Sequence, residues 1–163
     1  MRRQQKYPET EWFHYYNANP KNRITGDCVT RAIATALEID YKIAVLLGAV
    51  TQMETGYDNA TAQGINYMIK GLGWKKMPQP RKKDGTKYTA KEFCKIQQQW
   101  LFDETLHGKE WDDGIIISPR IIANVGGHHT VAIMDGKVWD TWNSTRGCIG
   151  NYWIKDGGGA IGQ

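Results

Sequence analysis

The stretch HTVAIMDGKVWDTW, residues 129–142, contains two β-rich runs on either side of Asp135-Gly136. An Asp-Gly pair between two alternating apolar runs is typical of a two-residue hairpin turn. The turn fixes which residues face each other across the hairpin. It predicts two pairs next to the turn: Met134 with Lys137, and Ile133 with Val138.

The same register places three polar or aromatic side chains near one another. Residues at 129, 131 and 133 share a face with residues at 138, 140 and 142, because successive side chains of a strand alternate between faces. His129 is then expected opposite Trp142 and diagonal to Asp140, at about 7–8 Å between backbone positions. His128 points to the other face.

The rest of the chain divides into helical patterns followed by strand patterns. Apolar residues at helical spacing predict four helices, within residues 28–39, 41–53, 59–74 and 89–101. Further short β-rich runs are GIIIS at 114–118 and NYWIK at 151–155. We therefore expect an α+β fold, with N-terminal helices gathered on one side of a C-terminal antiparallel sheet.

A chain of 163 residues is long enough to bury a hydrophobic core as one domain, 1–163. Residues 1–24 are expected to form an irregular N-terminal arm, and the glycine-rich residues 156–163 a flexible tail. The N-terminus has no apolar signal segment, and no window is apolar enough to span a membrane. Three widely spaced cysteines suit a reducing compartment, so a cytoplasmic protein is expected.

The segment 75–91 carries seven basic residues and one acidic residue. The simplest interpretation is a solvated loop or hairpin between two helices. The alternative is a basic flap over an acidic partner or a nucleic acid, although nucleic-acid binding is the less favoured of the two.

Cys28 lies where a turn, Thr25 to Asp27, passes into the first of the long predicted helices. A helix N-terminus lowers the pKa of a thiol and so favours the nucleophilic thiolate. Cys94 lies within a predicted amphipathic helix, where a core thiol is expected. The cysteines are not paired at zinc-ligand spacing, and no metal or organic cofactor is implied.

A cysteine nucleophile requires a base and a group that orients the base. The hairpin supplies both as His129 and Asp140. An oxyanion would be bound by the Cys28 backbone N–H and an upstream side-chain amide. Asn22, six residues before Cys28, is the first candidate for that amide. Asn17 and Asn19 are its competitors.

These residues resemble the marks of the papain-like cysteine peptidases. That superfamily has a glutamine six positions before a helix-start cysteine, a histidine that opens a strand, and an Asn or Asp two residues before a Trp. The matching residues here are Asn22, Cys28, His129 and Asp140, in the segments TGDCVTRAIA, HTVAI and DGKVWDTW. The chain is most similar to small papain-like proteins of phage and prophage genomes. It departs from papain by having Asn22 in place of glutamine and Asp140 in place of asparagine.

The resemblance implies a cysteine hydrolase that cleaves an amide or isopeptide bond of a protein or peptide substrate, in the host bacterial cytoplasm if the chain is phage-encoded. Two alternatives remain open. One is acyl transfer to an amine, as in transglutaminases. The other is a catalytically silent papain-like protein that binds or inhibits a host factor. The sequence does not specify the substrate or the oligomeric state.

Overall fold

The structure is a computed structural model that describes residues 1–107 and 114–155. Its helices are α1 (Arg3–Lys6), α2 (Cys28–Leu37), α3 (Tyr41–Thr55), α4 (Ala62–Lys70) and α5 (Ala90–Phe102), with a 3-10 turn at Glu104–Leu106. Its strands are β1 (Phe13–Tyr15), β2 (Trp74–Met77), β3 (Arg120–Val125), β4 (His129–Met134), β5 (Lys137–Asp140) and β6 (Ile149–Lys155). The chain is therefore a mixed α+β protein, as expected.

All six strands belong to one sheet, in the order β1-β5-β4-β3-β6-β2. Neighbouring strands are antiparallel except at one edge, where β1 runs parallel to β5. The expectation of a C-terminal antiparallel sheet is therefore correct for β3 to β6 and wrong for the two edge strands. β1 and β2 come from the N-terminal part of the chain, and as strands of three and four residues they are too short to give a clear alternating pattern.

The β4–β5 hairpin has the predicted register. Met134 pairs with Lys137 and Ile133 pairs with Val138. Asp135 and Gly136 both have positive φ, at 55° and 70°, which is the conformation of a type I′ turn. A Cβ at Gly136 would lie 2.9 Å from the Cβ of Gln98, so packing against α5 also requires glycine there.

Helices cover both faces of the sheet. Ile122 and Ala132 pack with α2, α3 and α4 in one core, whereas Ile121 and Ile133 pack with α5 in another. The expectation that the helices gather on one side is therefore wrong. The physical reason is that β3 and β4 are apolar on both faces, and each face has to be covered.

The prediction of a strand at residues 114–118 is also wrong. Ile115 and Ile117 are buried, but their segment forms no strand, and the neighbouring strand β3 begins only at Arg120. The Tyr152 hydroxyl bonds the backbone N–H and C=O of Ile116 in place of a sheet partner. An apolar run can thus be buried without entering a sheet.

The N-terminal and basic segments are only partly irregular. Residues 1–24 contain α1 and β1. Within 75–91, Lys75 and Lys76 belong to β2 and α5 begins at Ala90, so the loop itself covers residues 78–89 and includes a bridge between Arg81 and Lys87. The tail at 156–163 lies outside the described residues. No helix within residues 1–107 and 114–155 has the length and apolar character needed to cross a membrane.

Candidate active site

Cys28 is the first residue of α2 and is half-buried. As the first helical residue, it has a backbone N–H that no carbonyl within the helix accepts. Burial raises the pKa of the Cys28 thiol. Hydrogen bonds from the His129 side chain and the Thr130 N–H, together with the charges of His129 and Arg31, lower this pKa by more than burial raises it. The net result is a Cys28 pKa below the ordinary value for a thiol.

His129 lies between Cys28 and Asp140. Its Nε2 bonds Oδ2 of Asp140, and the Cys28 thiol is close enough to hydrogen-bond the same imidazole. Burial lowers the pKa of His129, while Asp140 and Cys28 raise it, to about 9. A lowered thiol pKa beside a raised imidazole pKa favours the thiolate–imidazolium pair over the neutral pair.

The hairpin brings His129 to this position. The ladder between β4 and β5 extends from the turn to the pair Ala132–Trp139, and His129 and Asp140 lie just beyond it. The Trp142 ring lies 4.8 Å from the His129 ring, between centroids, and partly covers it. His128 is exposed and follows two glycines with positive φ. Of the two adjacent histidines, the structure thus brings His129 to Cys28 and Asp140.

Asp140 is buried, with 2% of its surface exposed, and both of its oxygens have partners. Oδ2 bonds His129, and Oδ1 bonds Nη1 of Arg31 at 2.5 Å. Arg31 is itself buried and extends from α2, one turn after Cys28. The carboxylate is therefore held from two sides, which fixes its direction towards the imidazole.

Arg31 also bonds Asp27, the residue just before Cys28. Its Nε lies 2.8 Å from Oδ1 of Asp27, so one guanidinium connects the turn before the helix with the end of β5. Sequence reasoning missed Arg31. The available signal was its place on the apolar helix α2, where a buried cation requires a carboxylate partner.

Asp27 occupies the N-cap position of α2 but makes no capping hydrogen bond. Its Oδ2 instead accepts hydrogen bonds from Asn19 Nδ2 at 3.1 Å and from the Tyr41 hydroxyl at 2.7 Å. Burial and the Asp27 carboxylate raise the pKa of Tyr41 to about 12. These contacts fix the turn that leads into Cys28.

Among the described residues, no hydrogen bond joins the three candidate amides to Cys28. Asn17 donates to the carbonyl of Arg23, and Asn19 donates to Asp27 and Tyr41. Asn22 is exposed and has φ 53°, and its backbone N–H donates to the carbonyl of Asn19. The structure therefore brings together Cys28, His129 and Asp140, but not Asn22.

The other two cysteines lie in different surroundings. Cys94 is fully buried in the α5 core, as expected of a core thiol, and burial raises its pKa to about 12. Cys148 is exposed. Within residues 1–107 and 114–155, no group of three or more His, Cys, Asp or Glu side chains is arranged to hold a metal ion.

Comparison of the chain with protein-family models, with curated proteins and with solved structures gives no match. The protein is thus described by its fold and its site: it is an α+β protein in which a cysteine at a helix start, a histidine at a strand start and a buried aspartate lie next to one another. The chemical interpretation depends on that geometry alone.

Proposed function

We propose that the protein is a papain-like cysteine hydrolase that cleaves an amide or isopeptide bond in a protein or peptide. The observation that carries the proposal is the continuous set of contacts from Cys28 through His129 to Asp140, together with a lowered Cys28 pKa and a raised His129 pKa. These are the contacts that a thiolate nucleophile, its proton carrier and an orienting carboxylate require.

In the proposed reaction, the Cys28 thiolate attacks the substrate carbonyl carbon. The oxyanion accepts a hydrogen bond from the Cys28 backbone N–H. The imidazolium of His129 gives its proton to the leaving amine, and the C–N bond breaks to leave a thioester on Cys28. Water then attacks the thioester carbonyl while His129 takes the proton from that water, which releases the acid and restores the thiolate.

Asp140 keeps the imidazole in position throughout these steps. Because Arg31 binds the other oxygen of the same carboxylate, Asp140 cannot turn away from His129 when the charge on the ring changes. Asn22 is kept in the proposal as a second oxyanion donor, since it is exposed and the bonds of Asn17 and Asn19 point elsewhere. Its engagement would require the 22–27 loop to move when substrate binds.

A peptide-library digest tests this proposal. Peptides derived from a bacterial proteome are incubated with the wild-type protein in heavy-oxygen water, and new peptide termini are read by mass spectrometry. Hydrolysis incorporates heavy oxygen into each new carboxyl group. A primary amine added in a parallel reaction reports acyl transfer, the other possible outcome of the thioester.

The matched controls are Cys28→Ala, which removes the proposed nucleophile, and Cys148→Ala, which removes an exposed cysteine outside the site. We expect new termini with wild type and Cys148→Ala and none with Cys28→Ala. Amine incorporation in place of heavy oxygen would replace hydrolysis by acyl transfer. The absence of either product, together with a Cys28 that alkylates like an ordinary thiol, would overturn the proposed chemistry.

A further inference from the structure

The face of α3 that points away from the protein is almost entirely apolar. Four large side chains on it are strongly exposed: Ile43 at 50%, Leu46 at 62%, Val50 at 41% and Met53 at 78%. Val45 and Ala49 lie on the same face and are also exposed. We refer to these six residues as the α3 face.

The fully buried residues of α3 are small, and Leu47 is partly buried beside them against the core. Ala44, Gly48 and Thr51 are buried and lie roughly opposite the α3 face. A Cβ at Gly48 would lie 3.3 Å from the Asn59 side chain, so the helix sits close to its neighbours. Most of the large apolar residues of α3 thus point outwards, whereas a surface helix usually points them inwards.

The α3 face is large enough to bind another protein surface. The four strongly exposed side chains form an apolar patch on the order of a few hundred Å². Val45, Ala49 and the flanking residues bring the surface to about 600 Å² per copy, or about 1,200 Å² for two copies, the lower end of specific interfaces. Patches beyond a few hundred Å² usually mark interaction sites.

The charges on α3 favour a second copy of the same chain in an antiparallel arrangement. Lys42 is exposed at the start of the helix and Glu54 near its end, where the Tyr67 hydroxyl bonds it. Antiparallel pairing brings Lys42 of one copy to the same end as Glu54 of the other, and it also opposes the two helix dipoles. Parallel pairing would bring like charges together. Ala49, near the middle of the helix, allows close approach.

From these observations we infer that two copies of the chain associate through the α3 face, with their α3 helices antiparallel about a two-fold axis. The inference is independent of the proposed chemistry. The interface is isologous, because each copy contributes the same residues. Because the area lies at the lower end for specific interfaces, we expect weak and reversible association, with a dissociation constant on the order of micromolar.

Sedimentation equilibrium of the full chain tests the inference. Between about 1 and about 200 µM, the weight-average mass should rise from the monomer value of 18.5 kDa towards twice that value. Leu46→Glu and Met53→Glu should each weaken association at least about tenfold. Phe102→Glu is the matched control, because Phe102 is 83% exposed on α5, outside the α3 face, and its replacement should leave the dissociation constant unchanged.

A charge exchange tests the antiparallel arrangement. Lys42→Glu and Glu54→Lys should each weaken self-association, and an equimolar mixture of the two variants should associate again, since opposite charges then meet at both ends of a mixed dimer. Thermal unfolding checks that every variant is folded. A wild-type protein that stays monomeric at all these concentrations would overturn the inference. This holds even if the α3 face binds lipid vesicles in place of a second copy. A dimer that Leu46→Glu leaves intact would also overturn it.

Discussion

Replacement of His129 by alanine should slow the alkylation of Cys28 near neutral pH. In the folded protein, the hydrogen bond and charge of His129 are the main influences that lower the Cys28 pKa against the effect of burial. Without His129, burial is the largest influence that remains, and it raises the pKa. The variant should therefore hold less thiolate than wild type at pH 7.

The size of the effect follows from the ordinary pKa of 9.0 for this thiol. A thiol with that pKa is about 1% ionised at pH 7, and each unit by which its pKa falls increases the thiolate about tenfold until ionisation is complete. The intrinsic nucleophilicity of a thiolate falls about threefold for each unit by which its pKa falls. The net loss of rate in His129→Ala at pH 7 is therefore expected to be about threefold for each unit by which His129 lowers the Cys28 pKa, and larger if burial raises the pKa of the variant.

The assay is mass-spectrometric mapping of iodoacetamide labelling at Cys28 across pH. His128→Ala is the matched control, because His128 is exposed and should leave most of the reactivity in place. The ratio of wild-type to His129→Ala rates should also decrease at high pH, where both thiols ionise. If His128→Ala silences Cys28 and His129→Ala does not, the assignment of His129 as the partner of Cys28 is refuted.

Three further predictions concern the same site. Iodoacetamide at neutral pH should label Cys28 well before Cys94 and Cys148 in the folded protein, and equal labelling of all three would contradict the proposed nucleophile. Asp140→Asn should reduce turnover less than Asp140→Ala. The alanine variant should also lose about 3–5 kcal/mol of stability, measured by denaturant titration, because it leaves the buried Arg31 without one of its carboxylate partners. The His129 pKa is raised from 6.5 to about 9, so its contribution to stability is complete below pH 6.5 and is lost as the pH rises through 9. The free energy of unfolding of wild type relative to His129→Gln should therefore fall by up to about 3 kcal/mol between about pH 6 and about pH 10.

Asp140 has a second partner, Arg31, which the hairpin sequence alone does not indicate. From the hairpin alone, Asp140 has one role, to orient His129, and its loss is expected to leave the fold intact. The structure adds the ion pair with Arg31, which also connects to Asp27. Turnover and stability are therefore expected to fall together in the alanine variant, and the asparagine variant separates the two effects.

The basic segment has no role in either proposal. Lys75 and Lys76 are exposed on the edge strand β2, and the loop at 78–89 closes as a small hairpin. Charged side chains on an edge strand discourage pairing with another sheet. That function is sufficient to explain the two lysines in β2.

Local features of the fold could be predicted from the sequence. The Asp135-Gly136 turn sets the register of the β4–β5 hairpin, because few residues other than Gly, Asn and Asp adopt positive φ without strain. The start of α2 at Cys28 and the positions of α3, α4 and α5 follow from apolar residues at helical spacing. The approach of His129 to Asp140 follows from the hairpin register, since both residues lie within one 14-residue stretch.

Only the tertiary structure decided how these pieces meet. Three features depend on contacts between separate parts of the chain: the parallel pairing of β1 with β5, the cover of the sheet by helices on both faces, and the ion pair of Arg31 with Asp140. No local pattern encodes such contacts, because each depends on which apolar faces remain to be buried once the hairpin and helices have formed. The sequence by itself determined the candidate nucleophile and its base. The tertiary structure decided that Cys28 and His129 come into contact, and that a buried arginine holds the aspartate between the helix and the sheet.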